Sequence, residues 1–410
     1  MSGISRRAHL TLWVLASAVF AATLGNMLVP GVLPGYAAQT GIDIAIVGRS
    51  NAVFGLTYAI AAPVIAAAVR RLSPYHVMLV ALPLEAVTML AVSHADTSTA
   101  LDLARVAQAI TVAGVVPMCT VHAGSIVPPS LRSRALSISF GGMVLASLVG
   151  APLGNVLADS IGARESFLVV GALLVGVWLV ALSARRWQQG LRAAATAAHQ
   201  RNAVATGVTA AVVVILGAVL GTAMLEGAAT SGLNTFVSPF LTDAVGAEGT
   251  TLSLLLLCYG IAGLAGNALL GAVADRWGPA RVLVGTTLAA AVAVAGLTVV
   301  TTPPAAALFL LGWGFCSWAI NPPLQALIIA HAGSRVNLLV AVNSSVIFTG
   351  SSLGTAIAST QVDDGGLAAL PLVSAGIFVL SSATAAVAWI AVVRLQRTAT
   401  SGASEVVEAR

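Results

Sequence analysis

The sequence predicts an all-α membrane protein with twelve transmembrane helices, arranged as two pseudo-symmetric six-helix bundles. Three observations predict it: the composition, the number of apolar runs and the placement of arginine. Of the 410 residues, 58% are hydrophobic and 8% are charged, whereas a soluble domain is about one quarter charged. So few charges cannot cover a surface that faces water, and the chain is therefore expected to lie in a lipid bilayer.

The apolar runs are long enough and numerous enough for twelve crossings. A helix needs about 20 mostly apolar residues to cross roughly 30 Å of hydrocarbon. The first run continues to Pro30 and more runs follow it, so it is interpreted as a span and not as a signal peptide. The predicted spans lie near 10–34, 48–69, 75–94, 100–127, 133–158, 165–184, 207–230, 250–274, 279–301, 304–330, 336–360 and 368–393.

The longest polar interval divides the chain into two halves. It falls after the sixth span, and each half carries a short basic loop after its second helix. We therefore expect two related bundles, with a binding site between them near the middle of the membrane. The predicted organisation is an N-terminal bundle over 1–184, a cytoplasmic linker over 185–206, a C-terminal bundle over 207–394 and a disordered cytoplasmic tail over 395–410.

Arginine placement predicts the orientation, because loops on the cytoplasmic side retain positive charge. With the N-terminus inside, the predicted outer segments carry only Arg49 and Arg164. The inner segments carry Arg6, Arg7, Arg70, Arg71, Arg132, Arg134, Arg185, Arg186, Arg192, Arg201, Arg276, Arg281, Arg335, Arg394, Arg397 and Arg410. This predicts a multi-pass protein of a bacterial-type inner membrane with both termini in the cytoplasm. Because the arginines lie between apolar runs and form no basic face, no nucleic-acid partner is expected.

The sequence contains no sign of a cofactor or of enzymatic chemistry. Cys119, Cys258 and Cys316 each lie alone in an apolar run, without the spacing of a disulfide framework or a metal site. Catalytic Ser/His/acid groupings and phosphate-binding loops are also lacking in the sequence. We expect no metal and no cofactor, and a membrane-embedded enzyme or sensor is the less favoured class.

Residues 271 to 281, GAVADRWGPAR, resemble the loop motif of the major facilitator superfamily. Glycine at Gly271 and Gly278 permits close backbone approach and a tight turn, and Asp275 can cap a neighbouring helix. The resemblance implies that these residues and Arg276 act in gating. The matching loop of the first half, AAVRRLSPYH, keeps the basic turn but lacks the glycines and the acid.

Two further segments carry the resemblance. GGMVLASLVGAPLGN in the fifth span is similar to the glycine-rich motif of the antiporter branch, and RVAQAITVAG in the fourth fits the family's membrane-embedded arginine motif. The resemblance implies a hinge and seal at Gly142, Gly150, Pro152 and Gly154; the alternative is ordinary small-residue packing. It also implies the major facilitator fold, the drug/proton antiporter and sugar-efflux (arabinose efflux permease-like) branch, and a monomer whose partners are protons, a small-molecule solute and lipid.

Ionisable side chains inside the membrane are the candidates for proton coupling, because burying them is costly. Glu226 lies about two-thirds of the way across the seventh span; it is either a coupling acid or a neutral, hydrogen-bonded structural residue. Arg105 lies near the outer face with Asp102 on the same side of the helix, and its alternative is snorkelling to the headgroups. Glu85 is predicted either to pair with Arg105 or to couple protons itself.

A few amides and rings in an apolar cavity suit an uncharged or amphipathic solute. The candidate solute contacts are Asn26, Phe236, Trp313, Trp318, Gln325 and Asn343. The predicted function is proton-coupled efflux of a drug-like compound, a sugar or a nucleoside by alternating access. A proton-symporting nutrient importer on the same fold is the alternative.

Overall fold

The computed structural model describes residues 6–69, 71–127, 132–196, 210–331 and 336–408. Within these ranges the chain forms fifteen α-helices and two short 3-10 helices, Leu297–Val299 and Leu367–Ala369. The first half contains α1 (Arg6–Met27), α2 (Val29–Thr40), α3 (Ile44–Ala68), α4 (Pro74–Ser93), α5 (Ser98–Ser125), α6 (Arg132–Ile161) and α7 (Ala163–Thr196). The second half contains α8 (Ala210–Thr235), α9 (Val237–Val245), α10 (Gly249–Trp277), α11 (Pro279–Gly296), α12 (Pro303–Ala319), α13 (Asn321–His331), α14 (Val336–Asp363) and α15 (Leu370–Glu408).

These helices form twelve membrane-crossing segments, because three segments are each divided into two helices. The divisions fall at Leu28, Phe236 and Ile320, between α1 and α2, α8 and α9, and α12 and α13. Proline stands at the start of α2, where its missing N–H leaves no hydrogen bond unmade. Local caps set other boundaries: the Asp43 carboxylate accepts from the Ala45 backbone N–H at 2.7 Å where α3 begins.

Eleven of the twelve segments are long and apolar enough to cross a membrane. The twelfth, α14, has 28 residues but includes eight serines and threonines. Large apolar side chains such as Val80, Leu103 and Val292 are 63–65% exposed, and contiguous apolar surface of this kind marks contact with lipid. The predicted fold class, all-α with two six-helix bundles, is confirmed.

The two halves repeat the same packing. In the first half α1 packs on α6, α3 on α5 and α4 on α7. In the second half the equivalent pairs are α8 with α14, α10 with α12 and α11 with α15. The contacts between halves follow the same symmetry, because α3 packs on α14 and α10 packs on α6. A cavity between such bundles is the expected place for a transported solute.

The halves meet on the side where α2, α4, α6, α9 and α14 end, which the arginine pattern predicts to be outer. There the Asn155 amide donates to the Gly249 carbonyl at 2.9 Å and to the Ser253 hydroxyl at 2.8 Å. The Ser238 hydroxyl donates to the Pro30 carbonyl, and the Phe236 ring fills the space left by the absent side chain of Gly48. The bundles are therefore closed against each other on the predicted outer side.

Two predicted boundaries differ from the structure. Helix α7 continues to Thr196, through part of the predicted linker, and 197–209 lie outside the described residues. Helix α15 continues to Glu408, past the predicted start of the tail at 395; disorder of that tail stays a prediction. The hydrophobic run ends with the last span, whereas the helix that carries it continues into polar residues.

Candidate functional site

The Arg105 guanidinium lies inside the first bundle in a cage of amide oxygens. It is 1% exposed, and it donates to the Gln108 Oε1 at 2.5 Å, the Asn26 Oδ1 at 2.8 Å and the Asn51 Oδ1. The Phe54 ring covers it at 5.0 Å. Among the described residues no carboxylate lies within 4 Å of Arg105. The arginine is therefore held by neutral dipoles and a ring face, and no carboxylate in that part of the chain cancels its positive charge.

The cage is connected to the second half through Asn51. Its Nδ2 donates to the Thr235 hydroxyl at 3.3 Å, and Thr235 lies 3.5 Å from the Thr355 hydroxyl. Thr235 ends α8 and Thr355 lies on α14, the two helices that pack together in the second bundle. A movement of the halves apart on this side would break the Asn51–Thr235 hydrogen bond, so the surroundings of Arg105 depend on the conformation.

Glu226 is the buried carboxyl of the second half. It is 8% exposed, and its Oε1 accepts from the Thr230 hydroxyl at 3.0 Å one turn along α8. The Thr230 hydroxyl lies 3.5 Å from the Ser317 hydroxyl of α12. No cation lies within 4 Å of Glu226 in the described part of the chain. An ionised Glu226 has hydroxyl groups but no counter-charge there, so it is suited to carry a proton.

The structure does not bring Asp102 or Glu85 to Arg105. Asp102 forms an ion pair with Arg49 at 3.2 Å near the predicted outer surface, where both side chains reach solvent. Glu85 is 0% exposed, and neither carboxyl oxygen has a hydrogen-bond partner among the described residues. The alternative in which Glu85 pairs with Arg105 was wrong, because the guanidinium turns toward Asn26 on α1 and Asn51 on α3. Coupling roles for Asp102 and Glu85 stay predictions.

The predicted solute contacts are distributed over the second bundle, apart from Asn26 in the cage. Trp313 is fully buried against Tyr259, with ring centroids 4.4 Å apart, and Trp318 packs on Gly263 and lies beside Tyr259. Asn343 is buried, and its Oδ1 has no hydrogen-bond partner within the described ranges. Gln325 is half-buried on α13. Solute contact by these residues stays a prediction.

Phe236 is fully buried against Gly48 where the halves meet, so in this conformation it belongs to the closure and does not line an open cavity. A second aromatic contact joins the halves farther in, where the Tyr58 and Phe348 rings lie with centroids 4.1 Å apart. Solute contact by Phe236 stays a prediction, and it requires the halves to separate on this side.

The glycines of the fifth span allow two helix backbones to touch. A Cβ at Gly142 would lie 2.0 Å from the Ala16 carbonyl oxygen, and one at Gly154 would lie 2.6 Å from that of Leu28. Gly150 meets Met27 in the same way, and Pro152 is buried beside it. The second half repeats the seam, since a Cβ at Gly350 or Gly354 would meet the backbone of α8 at 2.0 or 1.9 Å. The close packing expected of this motif is present; its role as a hinge stays a prediction.

The loop motif contains the turn that its glycine predicts. Gly278 has φ +88° and connects α10 to α11, a conformation that other residues rarely adopt. Arg276 is exposed at the end of α10. Gly271 and Asp275 lie on α10, but the surroundings of their side chains are outside the described part of the structure. A gating role for these four residues stays a prediction.

Sequence reasoning missed Asn51, Thr230, Thr235 and Tyr259. Asn51 carries a recognisable signal, because an amide in an apolar run needs a partner when it is buried. Thr230 follows Glu226 by one helical turn, so its contact with the carboxyl follows from helix spacing. The links made by Thr235 and Tyr259 cross between distant helices and have no local signal.

Known proteins share this sequence pattern over most of their length. The family model described as Major Facilitator Superfamily matches residues 15–221 and 219–408. The chain is 26% identical over 355 residues to the chloramphenicol resistance protein of Streptomyces lividans, covering 86% of this chain and 89% of that protein. It is 27% identical over 332 residues to a chloramphenicol efflux pump of Mycobacterium tuberculosis, covering 78% of each.

A solved structure shares the fold across almost the whole chain. It is a bacterial homologue of the human lysosomal transporter Spinster, in an inward-facing and unoccupied conformation. The TM-score is 0.73 at 14% identity, and the match covers 96% of this chain and 99% of that one. At this identity the likeness shows the fold alone.

Proposed function

Because the chain belongs to the Major Facilitator Superfamily, whose members are membrane transporters and not enzymes, we propose that it exports a small uncharged or amphipathic organic solute in exchange for protons. Two relatives that align over most of the chain are named for chloramphenicol resistance or efflux. Chloramphenicol is an uncharged aromatic amide with hydroxyl groups, and it is the first solute to test. Transport would proceed by rocking of the two bundles around a site between them.

The observation that carries the proposal is the buried carboxyl of Glu226. It lies in the membrane-crossing part of α8 with Thr230 as its hydrogen-bond partner. A carboxyl without a counter-charge in a low-dielectric setting exchanges a proton when its access to water changes. Alternating access supplies that change, since the same group is opened to one side and then to the other.

Arg105 supplies the opposing electrostatic element. Its charge is held by Asn26, Asn51 and Gln108, and Asn51 also bonds to Thr235 in the second half. Opening on the predicted outer side would free the Asn51 Nδ2 and leave that amide donor available to a solute. In this proposal Glu226 of the second half binds a proton, and the amide cage of the first half supplies a polar contact to the solute.

The test is chloramphenicol transport in everted membrane vesicles with an imposed pH gradient. Glu226→Gln preserves shape and hydrogen bonding but cannot ionise, so we expect it to lose gradient-driven transport while remaining folded. Glu165→Gln is the matched control, because Glu165 is an exposed carboxylate at the start of α7; it should transport normally.

Normal gradient-driven transport by Glu226→Gln would exclude Glu226 from coupling. Movement of solute in the same direction as the protons would favour the importer. If chloramphenicol is not transported but another solute is transported in exchange for protons, the proposed substrate is wrong and the proposed mechanism is retained.

A further inference from the structure

Four buried titratable side chains form a row between α4 and α5, inside the first bundle and away from the interface between the halves. They are Glu85 and Tyr75 on α4, and Cys119 and His122 on α5. Tyr75 is 1% exposed and the other three are 0% exposed. The proposed function uses none of them, and so much buried polarity in one place calls for an explanation.

The row leads from the middle of the membrane to the predicted inner side. Helices α4 and α5 pack together, and Cys119 lies on α5 three residues from His122 toward the middle of the membrane. The Tyr75 and His122 rings lie with centroids 5.0 Å apart, and the Tyr75 hydroxyl donates to the Ala181 carbonyl of α7 at 2.7 Å. Tyr75 lies in the first turn of α4, so Glu85 is about 15 Å from that end of the helix at 1.5 Å per residue.

Glu85 is the member of this row that lies nearest the middle of the membrane. If it were ionised, its negative charge would have no positive partner in the described part of the chain. Among the described residues neither of its oxygens has a hydrogen-bond partner. On α5 the other charged groups are Arg105, which is held by amides, and Asp102, which is paired with Arg49. The facing stretches of α7 (166–184) and α1 (10–25) contain no titratable residue. A proton is the ligand that such a carboxyl can bind.

We infer that Glu85 is a second proton-binding site, reached from the predicted inner side along the row formed by His122, Tyr75 and Cys119. Met89, one turn farther out on α4, packs beside Gly25 and Gln108 and lies between Glu85 and the Arg105 cage. Glu85 therefore exchanges protons with the predicted inner side of the membrane, whereas Glu226 binds a proton at the interface between the halves.

Infrared spectroscopy of the purified protein in lipid tests the site without any transport. We expect a carboxylic-acid C=O band that disappears as the pH is raised, returns as it is lowered, and is missing from Glu85→Gln. His122→Phe should slow hydrogen–deuterium exchange of that band several-fold. A Glu85 band that does not respond to pH would overturn the inference, and the wild-type titration remains informative if Glu85→Gln does not fold.

The coupling ratio provides a second test, which rests on the proposed function. In proteoliposomes Glu85→Gln should move one proton fewer per solute than the wild type. Thr88→Val is the matched control, because Thr88 is a buried, non-titratable residue of the same helix; its ratio should be unchanged. An unchanged ratio in Glu85→Gln refutes this inference, whereas retained coupling in Glu226→Gln refutes the proposed function, so the two failures are distinguishable.

Discussion

Adjacent glycines on α6 offer a direct test of the helix seam. A Cβ at Gly142 would lie 2.0 Å from the Ala16 carbonyl oxygen, whereas one at Gly141 would have open space around it. Close carbon–oxygen contacts are about 3.3 Å, so Gly142→Ala must move α6 and α1 apart by roughly 1.3 Å. Overpacking of this kind costs about 1–3 kcal/mol, and replacing glycine by alanine in a helix returns up to about 1 kcal/mol.

The comparison of Gly141→Ala with Gly142→Ala removes the helix-propensity contribution, because both substitutions gain it. We expect Gly142→Ala to be less stable than Gly141→Ala by about 1–3 kcal/mol. The free energy of unfolding is measured by titrating the purified proteins with sodium dodecyl sulfate in mixed micelles and following their helical circular dichroism. Equal stabilities, or a more stable Gly142→Ala, would refute the claim that backbone contact between α1 and α6 requires glycine.

Two other predictions concern the polar contacts between helices. Arg105→Lys replaces the planar guanidinium by a single ammonium nitrogen, which cannot bond to three separate amides. Losing one charge-assisted hydrogen bond of about 1.5–3 kcal/mol should lower the efflux rate about tenfold or more. An efflux rate equal to that of the wild type would contradict this prediction. Asn155→Ala removes two hydrogen bonds between the halves, each worth about 1 kcal/mol. Spin labels at Asp159 and Glu248 should then report a larger population of molecules in which the two labels are far apart. An unchanged distance distribution would contradict the prediction that the Asn155 hydrogen bonds hold the outer ends of the halves together.

The framework of the fold was predictable because the membrane restricts it. Apolar runs that cross the bilayer must be helices of about the same length. The placement of arginine predicts which end of each helix faces the cytoplasm. The glycine of the loop motif was also predictable, since Gly278 adopts the positive φ that its residue type favours. The helix ends that lie beyond the membrane could not be predicted in this way. Helices α7 and α15 continue past their apolar runs, where the thickness of the bilayer no longer limits helix length.

The partners of the buried polar residues were harder to predict. Counting residues gives the depth of Glu85 and Arg105, but the direction in which each side chain points depends on how its helix is rotated. Helices that are apolar all round carry no strong signal of that rotation. Arg105 therefore lies on the helix that packs against the one carrying Glu85 and yet bonds to Asn26 and Asn51, which lie on other helices.

Glycines allow close packing between the halves as well as within them. Within each half they bring backbones into contact at Gly142 and Gly354, and between the halves a Cβ at Gly260 of α10 would lie 2.6 Å from the Leu148 carbonyl oxygen of α6. Hydrogen bonds such as those of Asn155 and Asn51 also join the predicted outer ends, and each is worth about 1 kcal/mol. Under the proposed alternating access, a solute or proton would therefore have to favour the separated state by more than these hydrogen bonds and this packing together contribute.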